Sequence, residues 1–274
     1  MKTTSGYDRV LISIILAWIL SACSTGAAIP TPSVTPSPTP SPFPTISPSP
    51  TPIYQSAFGI DYAHPATYLA PGLQSRISDP SQIDELRQDE QSLFHLQTIF
   101  RWMKDNFELY SARGQTIGIV TVDDLFASRR LGGCHDVGLV YSAILRELGY
   151  PAVLVSTDSI AWIEQFQAGE SDIRIGHIFV EVYLDERWVL IDPTNGWYVI
   201  EGYDPTNPVI PLEGHIAGSS EEIYGFYVEC KGVDIWDLGF HSPDESFQAM
   251  DAFAAQLDLS RITYPEYLFR NFDR

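Results

Sequence analysis

Apolar and polar residues alternate with two different periods along the chain, and the switch between them marks its elements. Leu93, Leu96, Ile99, Phe100, Met103 and Phe107 recur at the spacing of one helical face, and Asp79-Pro80 reads as the opening of that helical pattern. A second stripe, Val137, Val140, Tyr141, Ile144, Leu145 and Leu148, predicts a helix from Cys134 to Leu148 that Gly149 ends. Ala152 to Ser156 follows as a buried strand. Between these helices, Thr121 and Asp124 form a capping-box signature for a short helix ending near Arg129, and Val120 suggests a short strand before it. Arg129 and Arg130 read as solvated. Asp158 to Arg174 reads as a polar insertion with one amphipathic turn, a surface helix rather than a lid. Further on, Ile223 to Cys230 suggests a strand. Ser242-Pro243 opens a helix with Phe247, Met250, Phe253 and Leu257 on one face.

The most informative pattern has period two. Ile175 to Leu184 and Arg187 to Ile191 alternate as two strands of a hairpin centred on Asp185-Glu186. That centring sets Asp192 opposite Phe179, and His177 shares the face of Phe179, so His177 and Asp192 become diagonal neighbours. It also gathers Ile178, Val180, Val182, Leu184, Val189 and Ile191 on the other face, which is wholly apolar and is expected to be the core side. A slip by one residue would bury Asp192 among the valines and turn it away from His177.

The N-terminal composition changes the picture of the whole. Lys2 and Arg9 flank the start of an apolar run from Val10 to Leu20, the layout of an export signal and too short for a spanning helix. Leu20-Ser21-Ala22-Cys23 resembles the lipobox of bacterial lipoproteins, which implies lipidation at Cys23. From Ser24 to Pro52 the chain holds ten prolines and no charged residue, a composition that favours an extended stalk over a fold. The expected organisation is therefore residues 1–22 as a lipoprotein signal peptide, 23–52 as a lipidated cysteine and disordered stalk, and 53–274 as the domain, with its core at about 93–194 and an extension over 195–274. The net charge of −19 argues against nucleic acid as a partner. It also argues against adsorption of the domain to anionic lipid, so membrane attachment is expected through Cys23.

Chemistry is expected to centre on Leu131-Gly132-Gly133-Cys134. A thiol at the first turn of a helix meets unpaired N–H groups and the positive end of the helix dipole, which favour its ionisation. A disulfide with Cys230 is the competing use of this cysteine in an exported domain. The Gly-Gly turn, the helix and the later His177 and Asp192 favour a nucleophile. His177 would take the thiol proton and Asp192 would hold the ring, with the Cys134 N–H as an oxyanion donor. No cofactor or metal is implied. The contiguous Cys134-His135-Asp136 cannot wrap one zinc ion well; His135 reads either as a group that perturbs Cys134 or, the favoured reading, as a solvated first-turn residue.

Gly133-Cys134 with Leu145-Arg146-Glu147-Leu148-Gly149-Tyr150-Pro151-Ala152, then His177 to Tyr183, then Trp188 to Thr194 together resemble the bacterial transglutaminase-like superfamily. The resemblance implies an α+β, papain-like fold, with the cysteine at the N-terminus of a buried helix packed on an antiparallel sheet. It implies Cys134, His177 and Asp192 as a triad. The expected function is an extracytoplasmic, thiol-dependent acyl transfer on amide bonds of peptide or protein substrates, cell-wall peptide among them, with hydrolysis favoured. Transamidation on the same thioester and a non-catalytic binding or scaffold lipoprotein are the alternatives.

Overall fold

Pairing of the two period-two segments sets the plan of the sheet. The computed structural model describes residues 56–171, 173–212 and 225–273; the expected signal segment, Cys23 and the stalk lie outside them. Helix α1 spans Leu93–Asn106, followed by strand β1 (Glu108–Leu109), helix α2 (Val122–Ser128), strand β2 (Arg130–Leu131) and helix α3 (Cys134–Glu147). Then come β3 (Ala152–Ser159), helix α4 (Ile160–Ala168), β4 (Gly176–Leu184), β5 (Arg187–Asp192), β6 (Trp197–Val199), β7 (Val209–Pro211), β8 (Gly225–Gly232), helix α5 (Pro243–Gln256) and β9 (Arg270–Asn271). Strands β7-β8-β3-β4-β5-β6-β9 form one antiparallel sheet, while β1 and β2 pair in parallel beside the start of α3. The fold is α+β and papain-like, with the cysteine helix on the sheet. Among the described residues no helix is long and apolar enough to cross a membrane.

The β4–β5 hairpin has the register its alternation requires, with Val180 opposite Ile191 and Val182 opposite Val189. Asp185 and Glu186 turn the chain with φ of 49° and 60°, the left-handed pair of a two-residue hairpin turn. Ile178, Val180, Val182, Leu184, Val189 and Ile191 all enter the core beneath α1, α2 and α3. Gly138 lets α3 come very close to β4: a Cβ there would lie 2.5 Å from Ile178 Cγ2. That contact brings the start of the helix to the start of the strand.

The sheet is buried on both faces, which its one apolar face did not suggest. Behind it, Val155, Phe179 and Leu190 meet Tyr203, Ile210, Phe226 and Tyr267, and Val153 and Trp188 meet Ile60, Tyr62 and Tyr68. Glu181 falls on this rear face at 0 % exposure, with the Lys231 ammonium 2.5 Å from Oε1. Tyr62 donates to Glu181 Oε2 at 2.9 Å and Tyr203 donates to Oε1. The remaining Lys231 protons go to the Tyr62 oxygen at 2.9 Å and the Pro205 carbonyl at 2.7 Å. A buried ion pair survives when its remaining donors and acceptors are satisfied in this way.

Several elements differ from the sequence expectation for local reasons. Asp79-Pro80 opens only a short 3-10 segment, Pro80–Leu86, broken at Ile83, and α1 starts separately with Ser92 accepting the His95 N–H. Val120 forms no strand. Its carbonyl accepts from the Gln74 side chain, and the short strands lie at β1 and β2. Residues after Asp158 are not a surface insertion: β3 continues to Ser159, which caps α4, and Ile160, Ala161, Trp162 and Ile163 are buried, with Trp162 and Ile163 packing against Met250 and Ala254 of α5. Arg129 is half-buried over the Phe107 and Phe126 rings, whereas Arg130 is exposed. The capping box at Thr121 and the Ser242 cap with Pro243 form as the sequence indicates.

Two stability measurements test this packing. Gly138→Val forces overpacking against Ile178 and is expected to cost about 2 kcal/mol, lowering the thermal midpoint by roughly 4–8 °C. An unchanged midpoint would show that the helix can move off the strand freely. Lys231→Met strands the Glu181 carboxylate and should lower the urea unfolding free energy by about 3–5 kcal/mol, while adding Glu181→Leu restores much of the loss.

Candidate functional site

The site is built where the entry to α3 meets the open ends of β4 and β5. Gly133 enters the helix at φ 157° and ψ −170°, a conformation open essentially to glycine. The Gly132 N–H donates to Asp136 Oδ2 at 2.7 Å, so the first turn is tied back to the strand that precedes it. Cys134 then begins the helix, half-buried and free of any disulfide. Burial alone would raise its thiol. Hydrogen bonds to His135 and His177, with the charges of both rings, outweigh that and bring it down to about 5.

His177 lies near the start of β4, 8 % exposed. The Thr157 hydroxyl donates to its backbone carbonyl at 2.9 Å. Its ring is held edge-on to Phe179 at 4.8 Å and stacked on Phe226 at 5.5 Å. Ring Nε2 lies 3.0 Å from Asp192 Oδ1, within ion-pair distance, although the N–H is not aimed squarely at the oxygen. This leaves Nδ1 as the nitrogen for the thiol. Burial disfavours the charged ring, but the Asp192 carboxylate and the thiol push it up to about 10.

Asp192 is fixed from its other side. Oδ1 accepts the Thr194 and Asn195 backbone N–H groups at 3.0 and 3.1 Å, and Oδ2 accepts the Asn195 side-chain amide at 2.8 Å. Burial would raise this carboxyl; the charge of His177 and the hydrogen bonds hold it below its ordinary value. The structure thus brings Cys134, His177 and Asp192 together. Phe226 and Asn195, which hold the ring and the carboxylate, were not singled out in the sequence. Asn195 had a local signal, since an Asp followed three residues later by Asn can close an Asx-type turn.

His135 corrects a sequence expectation. It is buried, not solvated, with Nε2 2.6 Å from Thr116 Oγ1 and 3.1 Å from Asp136 Oδ1. Burial opposes its charging, yet hydrogen bonds to Asp136 and Cys134 push it up to about 9. The thiol therefore sits between two histidines, each beside its own aspartate. Thr116 comes from the segment between β1 and α2, so the helix sequence alone could not reveal it. Cys230, on β8, is also free; burial first, then Glu229 and Asp158, push its thiol up.

Cys134, His135 and His177 open into a cavity of about 1030 Å³. Ile117, Ile178, Phe240, Phe247 and Met250 give it apolar walls, so α5 and the segment before it complete a site begun by the core. Tyr198, just past the hairpin, stacks on Phe272 at 4.8 Å. An arrangement of a lowered thiol, a paired imidazole and an adjoining cavity can support nucleophilic attack on a carbonyl.

Part of the chain is similar to known proteins. Residues 81–193 match the core model of the transglutaminase-like superfamily. No curated protein sequence matches the chain. Among solved structures, a candidate cysteine protease from Cytophaga hutchinsonii is 18% identical, with 62% of this chain and 47% of that chain covered and a TM-score of 0.41. The periplasmic domain of TgpA from Pseudomonas aeruginosa is 23% identical, with coverage of 50% and 49% and a TM-score of 0.33. The chain spans about half the length of each of these solved chains. Residues 81–193 thus carry a transglutaminase-like core.

Proposed function

We propose that Cys134, His177 and Asp192 form the triad of an enzyme that cleaves amide bonds of peptide or protein substrates through a thioester on Cys134. The observation that carries this reading is the lowered Cys134 thiol at a helix start, hydrogen-bonded to a histidine that is itself held by a fixed aspartate. The Cys134 thiolate attacks the substrate carbonyl carbon, and the oxyanion that forms is met by the Cys134 backbone N–H at the positive end of α3. The His177 imidazolium gives its Nδ1 proton to the leaving amine, and the thioester remains. Water then attacks the thioester while His177 takes its proton, releasing the acid and the thiolate. Asp192 keeps the ring in the productive tautomer throughout. His135 is a positioning residue that favours the thiolate by its charge.

Half-exposure of Cys134 and the large adjoining cavity favour water as the usual acceptor over an amine. The domain is proposed to act outside the cytoplasm, tethered through a lipid on Cys23, with cell-wall peptide among its substrates. The apolar run, the small residues before Cys23 and the uncharged proline-rich tract support that placement.

Alkylation with iodoacetamide reads the thiol directly. Because the Cys134 thiol is lowered to about 5, its thiolate is present above that pH and lost below it, so labelling should rise with an apparent midpoint near pH 5 and be nearly complete by pH 7. Cys230, raised by burial, should label far more slowly at pH 6. His177→Ala should cut the Cys134 rate at pH 6 by about tenfold or more; a rate unchanged by that substitution would sink the activated thiol.

Turnover tests the rest of the reading. With glutamine-containing peptides, Asp192→Asn is expected to lower kcat by about 10²- to 10⁴-fold while the thiol remains in place. Mass spectrometry of products formed with and without a primary amine separates acid from amide. Activity independent of Asp192 would remove it from the triad.

A further inference from the structure

His135 is held by a hydroxyl from outside its own helix, and the direction of that hydrogen bond can be worked out. Thr116, half-buried in the segment between β1 and α2, places Oγ1 2.6 Å from His135 Nε2 and 3.2 Å from Asp136 Oδ2. The hydroxyl donates its one hydrogen to Asp136, which leaves a lone pair to accept the His135 Nε2–H. Asp136 Oδ1 lies 3.1 Å from the same nitrogen but off the line of its N–H, so Asp136 supplies charge and Thr116 supplies the aligned bond. With Nε2 engaged, Nδ1 is the nitrogen left for the thiol, to which this ring is hydrogen-bonded. A Cβ on Gly133 would lie 3.4 Å from that Nδ1, which puts this edge of the ring against the backbone leading into Cys134.

The position of Thr116 is itself fixed from two sides. Gly132 lets the segment come close: a Cβ there would lie 2.8 Å from Thr116 Oγ1 and 2.6 Å from Ala112 Cβ, and the Ala112 N–H donates to the Gly132 carbonyl at 2.7 Å. At the other end, the Gly118 carbonyl accepts from Trp236 Nε1 at 2.7 Å, and a Cβ on Gly118 would lie 2.6 Å from the Phe240 carbonyl. Thr116 is thus held between the turn into α3 and the segment before α5. The result repeats the plan of the other imidazole, with Nε2 beside an oxygen and Nδ1 toward sulfur. Other titratable groups about the thiol are His177 and Asp192 on β4 and β5, Tyr110 and Arg113 beside Thr116, the buried Asp158 of β3, and Arg174, which is bound to Asp251 of α5.

We propose that Thr116 is a positioning residue for the Cys134 nucleophile: its hydroxyl holds the His135 ring in the tautomer whose Nδ1 faces the thiol, giving the sulfur a second oriented imidazole besides His177. The assignment rests on the reading of Cys134 as the nucleophile of acyl transfer.

Iodoacetamide labelling of Cys134 in the full-length protein in detergent, followed by peptide mass spectrometry from about pH 4 to about pH 9, reads the thiol without a substrate. Thr116→Val should raise the apparent midpoint by about one pH unit, so that labelling falls about fivefold at pH 5 and is unchanged at pH 8. Thr116→Ser, which keeps the hydroxyl, should stay at the wild-type midpoint. His135→Gln should raise the midpoint as well, and adding Thr116→Val to it should move it no further. An unmoved midpoint in Thr116→Val or in His135→Gln, an equal shift in Thr116→Ser, or a full further shift in the double variant overturns the proposal. A second measurement needs no Thr116 variant: nitrogen NMR of the histidine rings should show His135 Nε2 keeping its hydrogen from about pH 5 to about pH 10, and loss of that hydrogen overturns the proposal too. Turnover of a glutamine peptide together with an unmoved midpoint leaves the acyl-transfer reading standing and defeats the role of Thr116; shifted midpoints in a protein that turns over no peptide do the reverse.

Discussion

The register of the β4–β5 hairpin is the constraint on which the rest of the structure depends. With Val180 set opposite Ile191, every second residue of both strands enters the core under α3, and the residues between them face the rear. His177 and Asp192 take their relation from the same pairing, so the contact between imidazole and carboxylate is fixed by a backbone ladder rather than by two flexible side chains. Gly138 adds the third coordinate by letting α3 lie almost on Ile178. Helix start and strand start are then held by close packing, and the thiol needs no long side chain to reach the ring.

Burying both faces of the sheet costs something at each. On the rear face, Glu181 is carried into the interior by the alternation that suits Val180 and Val182, and it requires Lys231, Tyr62 and Tyr203 to satisfy it. On the front face, His135 and Asp136 are carried inward by the first turn of α3. Thr116 and the thiol meet the His135 ring and Gly132 donates to Asp136 Oδ2, while Asp136 Oδ1 lies 3.1 Å from the His135 ring without a hydrogen bond. Asp158, on β3, is buried with neither oxygen hydrogen-bonded among the described residues.

Legibility in the sequence followed how local each determinant was. The stripes of α1 and α3, the caps at Thr121 and Ser242, and the hairpin alternation are set by neighbours a few residues apart, and the structure repeats them. The relation of His177 to Asp192 could be worked out because a single short turn connects their strands. The rear layer could not, because β6, β7 and the segment around Tyr62 and Tyr68 are short pieces in turn-rich sequence with no clear period. Glu181 falls on the face away from the apolar stripe, and its cation lies far along the chain on β8. His135 was misread for a similar reason: the hydroxyl that captures it comes from a segment whose path the helix pattern does not encode.

The two histidines flanking Cys134 have a consequence that reaches beyond bond cleavage. A lowered thiol that borders a cavity is also the described cysteine more open to peroxide, which would convert it first to a sulfenic acid. Reversal of that step usually needs a second thiol close by. Cys230 is held protonated by its buried, acidic surroundings and forms no disulfide with Cys134. The surroundings that lower this thiol thus also make it the place where an oxidant would act first.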